Sequence, residues 1–225
     1  MRRTPRKLTV LAVTLTLLSG CTLPFPGIGD GPSPSPAGFP CPPNERSSAS
    51  PLPAPQLVSG RVQVGAVSYP AAPAPYTAPD GTEYMPFGNL IGSQHAPVEQ
   101  VAATSMGWQS VIALARLSSV DGAWGLQKAA EVVSQCSLSM TWRGIDYHPA
   151  VRRDESITVD GHQGWIRITD LSFSVPGIRA TAEVQTVVTV QVDDHSYAFL
   201  SYLPNSAPEL QPAVDAARDG LRVKD

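Results

Sequence analysis

Four histidines carry the side chains best suited to metal or proton chemistry near neutral pH: His95, His148, His162 and His195. Two of them follow acidic turn sequences, Asp160-Gly161-His162 and Asp193-Asp194-His195. If the strands between these turns run as a meander, both turns reach the same sheet edge. Asp160, His162, Asp193, Asp194 and His195 would then cluster, and two imidazoles with carboxylates are competent ligands for Zn²⁺ or a similar ion. The same residues also read as ordinary turn residues, because Asp bonds its own backbone and tolerates unusual dihedrals. No GxSxG elbow, P-loop, GxGxxG, HExxH or Cys-His nucleophile signature is present in the sequence. The expectation is a protein that is not an enzyme and carries no cofactor.

Thiol chemistry is the other resource. The chain holds three cysteines, Cys21, Cys41 and Cys136. Arg2, Arg3, Arg6 and Lys7 precede an apolar run from Leu8 to Leu18. A basic segment followed by an apolar one is an export signal, and about a dozen residues fall short of the ~20 that span a bilayer. The signal ends on Leu18-Ser19-Gly20-Cys21, which resembles the lipobox of bacterial lipoproteins. That resemblance implies diacylglycerol on the Cys21 sulfur, cleavage before it and Cys21 as the first mature residue. With Cys21 taken by lipid, Cys41 and Cys136 remain as a pair in an oxidising compartment. A disulfide is expected between them, with two free thiols as the alternative. The whole chain carries 16 basic and 19 acidic residues. Removing the four basic residues of the signal leaves 12 against 19, a net charge of −7. Nucleic acid is excluded as a partner, and the anchor must come from lipid.

A third group is Trp142, Arg143, Tyr147, Arg152 and Arg153, read as lying in a loop after a helix. Exposed together they would form a protein-contact patch. Alternatively the arginines pair with Asp146, Asp154 and Glu155.

These residues need elements to position them. Thr22 to about Gln56 is dominated by Pro, Ser, Gly and Ala and is expected as an extended tether. A second Pro-rich stretch, Tyr69 to Pro79, carries enough aromatic neighbours to pack on the domain. Arg179 to Val192 shows period-two patterning and reads as a half-buried strand. His162 to Phe173 precedes it across Pro176-Gly177, and Ile157 to Val159 leads into the hairpin dipeptide Asp160-Gly161. Tyr197 to Tyr202 follows, which completes a four-strand meander. Ser110 to Leu117 is a further strand, and Arg61 to Val67 is another candidate. Trp124 to Cys136 reads as a helix with Leu126, Ala129, Ala130, Val133 and Cys136 on one stripe and Asp121 as its cap. The last helix starts with a Ser206-x-x-Glu209 capping box and aligns Leu210, Val214, Ala217 and Leu221.

The stretches "WQSVIALARLSSVDGAWGLQKAAEVV", "VDGHQGWIRITDLSF", "VVTVQVDDHSYAFLSYLP" and "NSAPELQPAVDAARDGLRV" follow the order strand, helix, meander, helix. This order resembles the PsbP-like domain, in particular that of LpqN/LpqT-type actinobacterial lipoproteins. The resemblance implies an α+β fold, a PsbP-like α/β/α sandwich whose antiparallel meander sheet is covered by helices. The expected domains are a signal peptide over 1–20, the tether over 21–56 and the α+β domain over 57–225. The expected function is a non-catalytic binding or assembly module, lipid-anchored on the extracytoplasmic face of the membrane and reaching into the cell wall. Its partner would be an envelope protein. The alternatives are a carrier of metal or a small apolar ligand and, behind it, an envelope hydrolase.

Overall fold

β-branched and aromatic residues alternate with polar ones through much of the chain, and strands result. The computed structural model describes Cys41 and residues 54–85, 87–100, 107–117, 125–142 and 144–224. All of these fall in the unit Ser33–Asp225. The signal, Cys21, most of the tether, Asp121, Trp124 and Arg143 lie outside the described residues.

A seven-stranded antiparallel sheet is the frame. Its strands are β4 (Asp80–Met85), β5 (Gly88–Gln100), β6 (Gly107–Leu117), β7 (Tyr147–Val159), β8 (His162–Phe173), β9 (Ala182–Val192) and β10 (His195–Pro204), in the order β4-β5-β6-β10-β9-β8-β7. The meander runs β7 to β10, with turns at Asp160-Gly161 and Asp193-Asp194. Asp160 and Asp193 sit at φ 47° and 51°, in the left-handed region that Asp tolerates. A four-stranded sheet, β1 (Gln56–Val58), β2 (Arg61–Val64), β3 (Val67–Pro70) and β11 (Arg222–Val223), forms a second layer. The candidate strand Arg61 to Val67 is thus two strands. They reverse at Gly65, at φ 56°, where a Cβ would run into the Tyr197 hydroxyl.

Two helices complete the fold. Helix α1 (Gly125–Thr141) extends beyond the expected Cys136, and α2 (Gln211–Asp219) follows a 3₁₀ turn at Pro208–Leu210. The expected capping box does not form. Neither the 3₁₀ turn nor α2 has a side-chain cap at its N-terminus. The Ser206 hydroxyl donates instead to Glu99 Oε1 at 2.6 Å. Glu99 also accepts the N–H groups of Arg179 and Ala180 at 2.6 and 2.9 Å, so it ties β5 to the connection before β9. Burial alone would raise the Glu99 pKa. The Ser206 hydroxyl, the two N–H groups and the Arg179 guanidinium outweigh it and hold the carboxyl below its ordinary value.

Each face of the large sheet has its own core. On one face, Val62, Val67 and Tyr69 of the small sheet and Leu210, Val214, Ala217 and Leu221 around α2 pack on Ile112, Ile166, Val188 and Phe199. On the other, Ala129, Ala130, Val133 and Cys136 of α1 pack on Ala113, Leu171, Val187 and Leu200. The expected sandwich is therefore realised with a correction. Helix α1 covers one face, whereas the other is covered by a small sheet together with α2.

Two strand expectations also need correcting. β9 is buried on both faces along most of its length, because α1 lies over the side that reads as polar. The segment read as a loop after the helix is β7, thirteen residues long, at the sheet edge. It is exposed through most of its length and has a register shift between Val151 and Arg153. The Pro-rich stretch after Tyr69 packs as expected. Gln94 donates to the carbonyls of Ala72 and Thr77, and the Tyr76 hydroxyl lies 2.7 Å from Ser110 Oγ.

Candidate functional site

The disulfide joins Cys41 to Cys136 with Cα atoms 5.3 Å apart. Cys136 is buried under α1, and Cys41 is half-buried with its sulfur 3.3 Å from Ser139 Oγ. The bridge fixes Cys41, within the Pro-rich segment, to the last turns of α1.

The turn cluster is not a ligand set. His162 and His195 stand on β8 and β10 with β9 between them, so their backbones are about 10 Å apart. The Asp160 carboxylate is taken by the Val223 N–H at 3.0 Å and lies 3.9 Å from Arg222 Nε. His195 faces Arg116, whose Nη2 is 3.1 Å from the ring nitrogens. Asp193 and Asp194 are exposed turn residues. Among the described residues no group of three or more His, Cys, Asp or Glu is placed to hold a metal ion. Turn chemistry explains these positions.

The proposed contact patch is also divided. Trp142 is 4 % exposed and packs edge-on against Trp108 and Phe173, with Tyr147 tilted beside it. It is a core residue because α1 ends against this aromatic group. Arg152 pairs with Asp170 at 3.4 Å and Arg153 with Glu155 at 2.7 Å, both at the surface. Tyr147, half-buried at the start of β7, lies beside Trp142.

Beneath α1 lies a polar seam that sequence patterning assigned to solvent. Gln185 is fully buried. Its amide donates to the Ser134 carbonyl, the Ser137 hydroxyl and the Tyr202 hydroxyl, and it accepts from the Ser134 hydroxyl. Burial pushes Tyr202 up to about 12. Glu183, 4 % exposed, accepts the Trp108 indole N–H at 2.9 Å. Burial dominates that contact and pushes the Glu183 carboxyl up to about 8, so it holds a proton at neutral pH.

The Thr189 hydroxyl donates to the Leu126 carbonyl at 2.8 Å, which fixes the start of α1 over β9. A groove of about 970 Å³ opens between the first turn of α1 and strands β7 to β9. Thr158, Gln163, Trp165 and Gln191 line its sheet side, and Leu126 and Lys128 line its helix side. The Trp165 indole N–H is held by Asp154 at 2.5 Å, and the same carboxylate takes Arg167 at 2.5 Å. Lys128 pairs with Glu131 at 2.8 Å. The lining therefore offers amide and hydroxyl groups beside the apolar surfaces of Leu126, Ile157 and Trp165, with its nearby charges already paired. Such a surface suits a ligand that mixes polar, uncharged groups with apolar ones.

No family model and no curated protein matches the chain. Among solved structures it is similar to the PsbP protein CyanoP of the cyanobacterium Synechocystis, at 9 % identity and a TM-score of 0.47, over 70 % of this chain and 86 % of that one. It is similar to LpqN, involved in cell envelope biogenesis of Mycobacterium tuberculosis, at 15 % identity and a TM-score of 0.41, over 71 % and 83 %. It is also similar to the Ran-binding protein Mog1p of Saccharomyces cerevisiae, at 12 % identity and a TM-score of 0.42, over 72 % and 92 %.

Proposed function

We propose that the chain is a lipid-anchored, extracytoplasmic binding module with a PsbP-like domain and no catalytic role. Its partner is an envelope protein, and its binding face is the groove beside α1. The observation that carries the reading is the closed Cys41–Cys136 bridge. Disulfides persist in oxidising compartments. The bridge accounts for two of three cysteines, and the third, Cys21, directly follows Leu18-Ser19-Gly20 behind a basic and then apolar leader. Two or more acyl chains on that residue would hold the chain stably, since each buried methylene contributes ~0.8 kcal/mol. The element order supports the fold assignment, and the mixed polar and apolar lining of an open groove favours a protein segment over a small apolar ligand.

Metabolic labelling with an alkyne fatty acid tests the anchor. Wild type takes up the label and sediments with membranes, whereas Cys21→Ser takes up none. Equal labelling of both chains sinks the reading. A photo-crosslinking residue at Gln191 is expected to capture an envelope protein that the same residue at Ser59, on the opposite layer, does not.

A further inference from the structure

The N-terminal chain meets the domain at two places on opposite layers. Cys41 is fastened to Cys136 in the core under α1, with Ser139 beside it. Gln56, Leu57 and Val58 pair with Gln63, Val62 and Arg61 in the small sheet on the other face. The large sheet lies between them, because its strands alternate side chains into the two cores: Val187 and Leu200 toward α1, Val188 and Phe199 away from it. We propose that the Cys41–Cys136 bridge selects the face from which the N-terminal chain leaves the domain, and that opening it moves the exit from the α1 layer to the small-sheet layer. This deepens the anchored-module reading and rests on it only for what holds the far end of the tether.

The chemistry is thiol–disulfide exchange with a dithiol reductant of the thioredoxin class. Cys41 is half-buried, while Cys136 is 1 % exposed, so the reductant thiolate reaches the Cys41 sulfur. The S–S bond breaks, a mixed disulfide forms on Cys41, and Cys136 leaves as a thiolate and takes a proton. The second reductant thiol then displaces Cys41, which is protonated in turn. Two electrons pass to the protein, and the reductant ends as a disulfide. With the bridge closed, residues 22–40 separate the anchor from its first described fixed point; with it open, residues 22–55 do. The added length is on the order of 45 Å if extended at ~3.1 Å per residue. The groove beside α1 faces the tether's exit side in the closed form and the opposite side in the open one.

The test uses residues 22–225 with an N-terminal hexahistidine on vesicles containing nickel-chelating lipid and an acceptor dye in the headgroups. Chelation supplies the anchor, so a failure of acylation at Cys21 does not touch this result. A donor dye is attached through a clickable amino acid at Thr141, at the end of α1, or at Ser59, in the β1–β2 turn. In the closed form energy transfer is expected to be higher from Thr141 than from Ser59. After tris(2-carboxyethyl)phosphine, and in Cys41→Ser without reductant, the order is expected to reverse. The same order in both states overturns the proposal. So does loss of the near-UV circular dichroism when dithiothreitol opens the bridge in solution, for then the bridge maintains the fold and selects nothing.

Discussion

The two faces of the large sheet are held by different physics. The face under the small sheet and α2 rests mainly on apolar contact, with Phe199, Ile112 and Leu114 fully buried, and its polar bonds, Gln94 to Ala72 and Thr77 and Tyr76 to Ser110, gather where the Pro-rich stretch packs. The face under α1 mixes apolar packing with Gln185, Glu183, Thr189, Ser134 and Ser137, all buried, and with the disulfide. Apolar contact is non-directional and insensitive to pH. A buried polar seam must be satisfied atom by atom, since each orphaned group costs about 1–3 kcal/mol. The first face therefore supplies bulk stability, whereas the second fixes where α1 sits and makes that placement conditional on protonation.

Three substitutions break or sharpen this contrast. The largest loss is expected from Phe199→Ala, about 3–5 kcal/mol from burial and cavity together. Urea denaturation should show the same loss at pH 5 and pH 8; a loss that changes with pH would mean the apolar face is coupled to the seam. Gln185→Leu keeps the volume and removes the amide, leaving Ser137 and Tyr202 short of partners. It should cost about 2 kcal/mol by the same measurement, and a neutral result would mean that the seam specifies nothing. Below pH 4.5 the smallest effect belongs to Glu183, which is protonated there in both the folded and the unfolded chain. Its folded pKa near 8 lies above its ordinary value of 4.5, so between those values the native state holds a proton that the unfolded state has lost. Stability should fall as pH rises through that window, by up to ~1.4 kcal/mol per unit. Glu183→Gln keeps an acceptor for Trp108 and should flatten the slope. A thermal-melt series from pH 5 to pH 9 that is equally steep in both chains would remove Glu183 as the cause.

The sequence made some of this legible and hid the rest for physical reasons. Turn chemistry is local, so Asp160-Gly161 and Asp193-Asp194 mark the meander correctly. The stripe Leu210, Val214, Ala217 and Leu221 is buried as its spacing requires. Strand β5 carries no readable pattern because Gly88, Gly92 and Pro97 interrupt any period, and its register shifts twice. Ser206 and Glu209 match a capping box, but the competing acceptor is Glu99, 107 residues away from Ser206, which no local rule sees. β9 departs from its pattern for the most instructive reason. Its Glu, Gln and Thr alternate with Val as in a solvated strand, yet Ser134 and Ser137 on α1 answer Gln185. Polar pattern reports hydrogen-bonding demand and not the side from which it is met. The groove was invisible for a similar reason: Gln163, Trp165 and Gln191 become neighbours only through strand register and the point where α1 begins.

Strand β7 ends the large sheet with thirteen residues that have backbone partners on one side only. Such a margin can template the addition of another chain, and on a crowded surface neighbouring copies would meet it constantly. Its middle carries Arg152, Arg153, Asp154 and Glu155, its start carries Pro149, and its register slips between Val151 and Arg153. Charge, a missing donor and a break in the ladder all act against fibrillar growth at that margin. Resistance to strand addition at this margin thus resides in one exposed run of β7, residues 149–155.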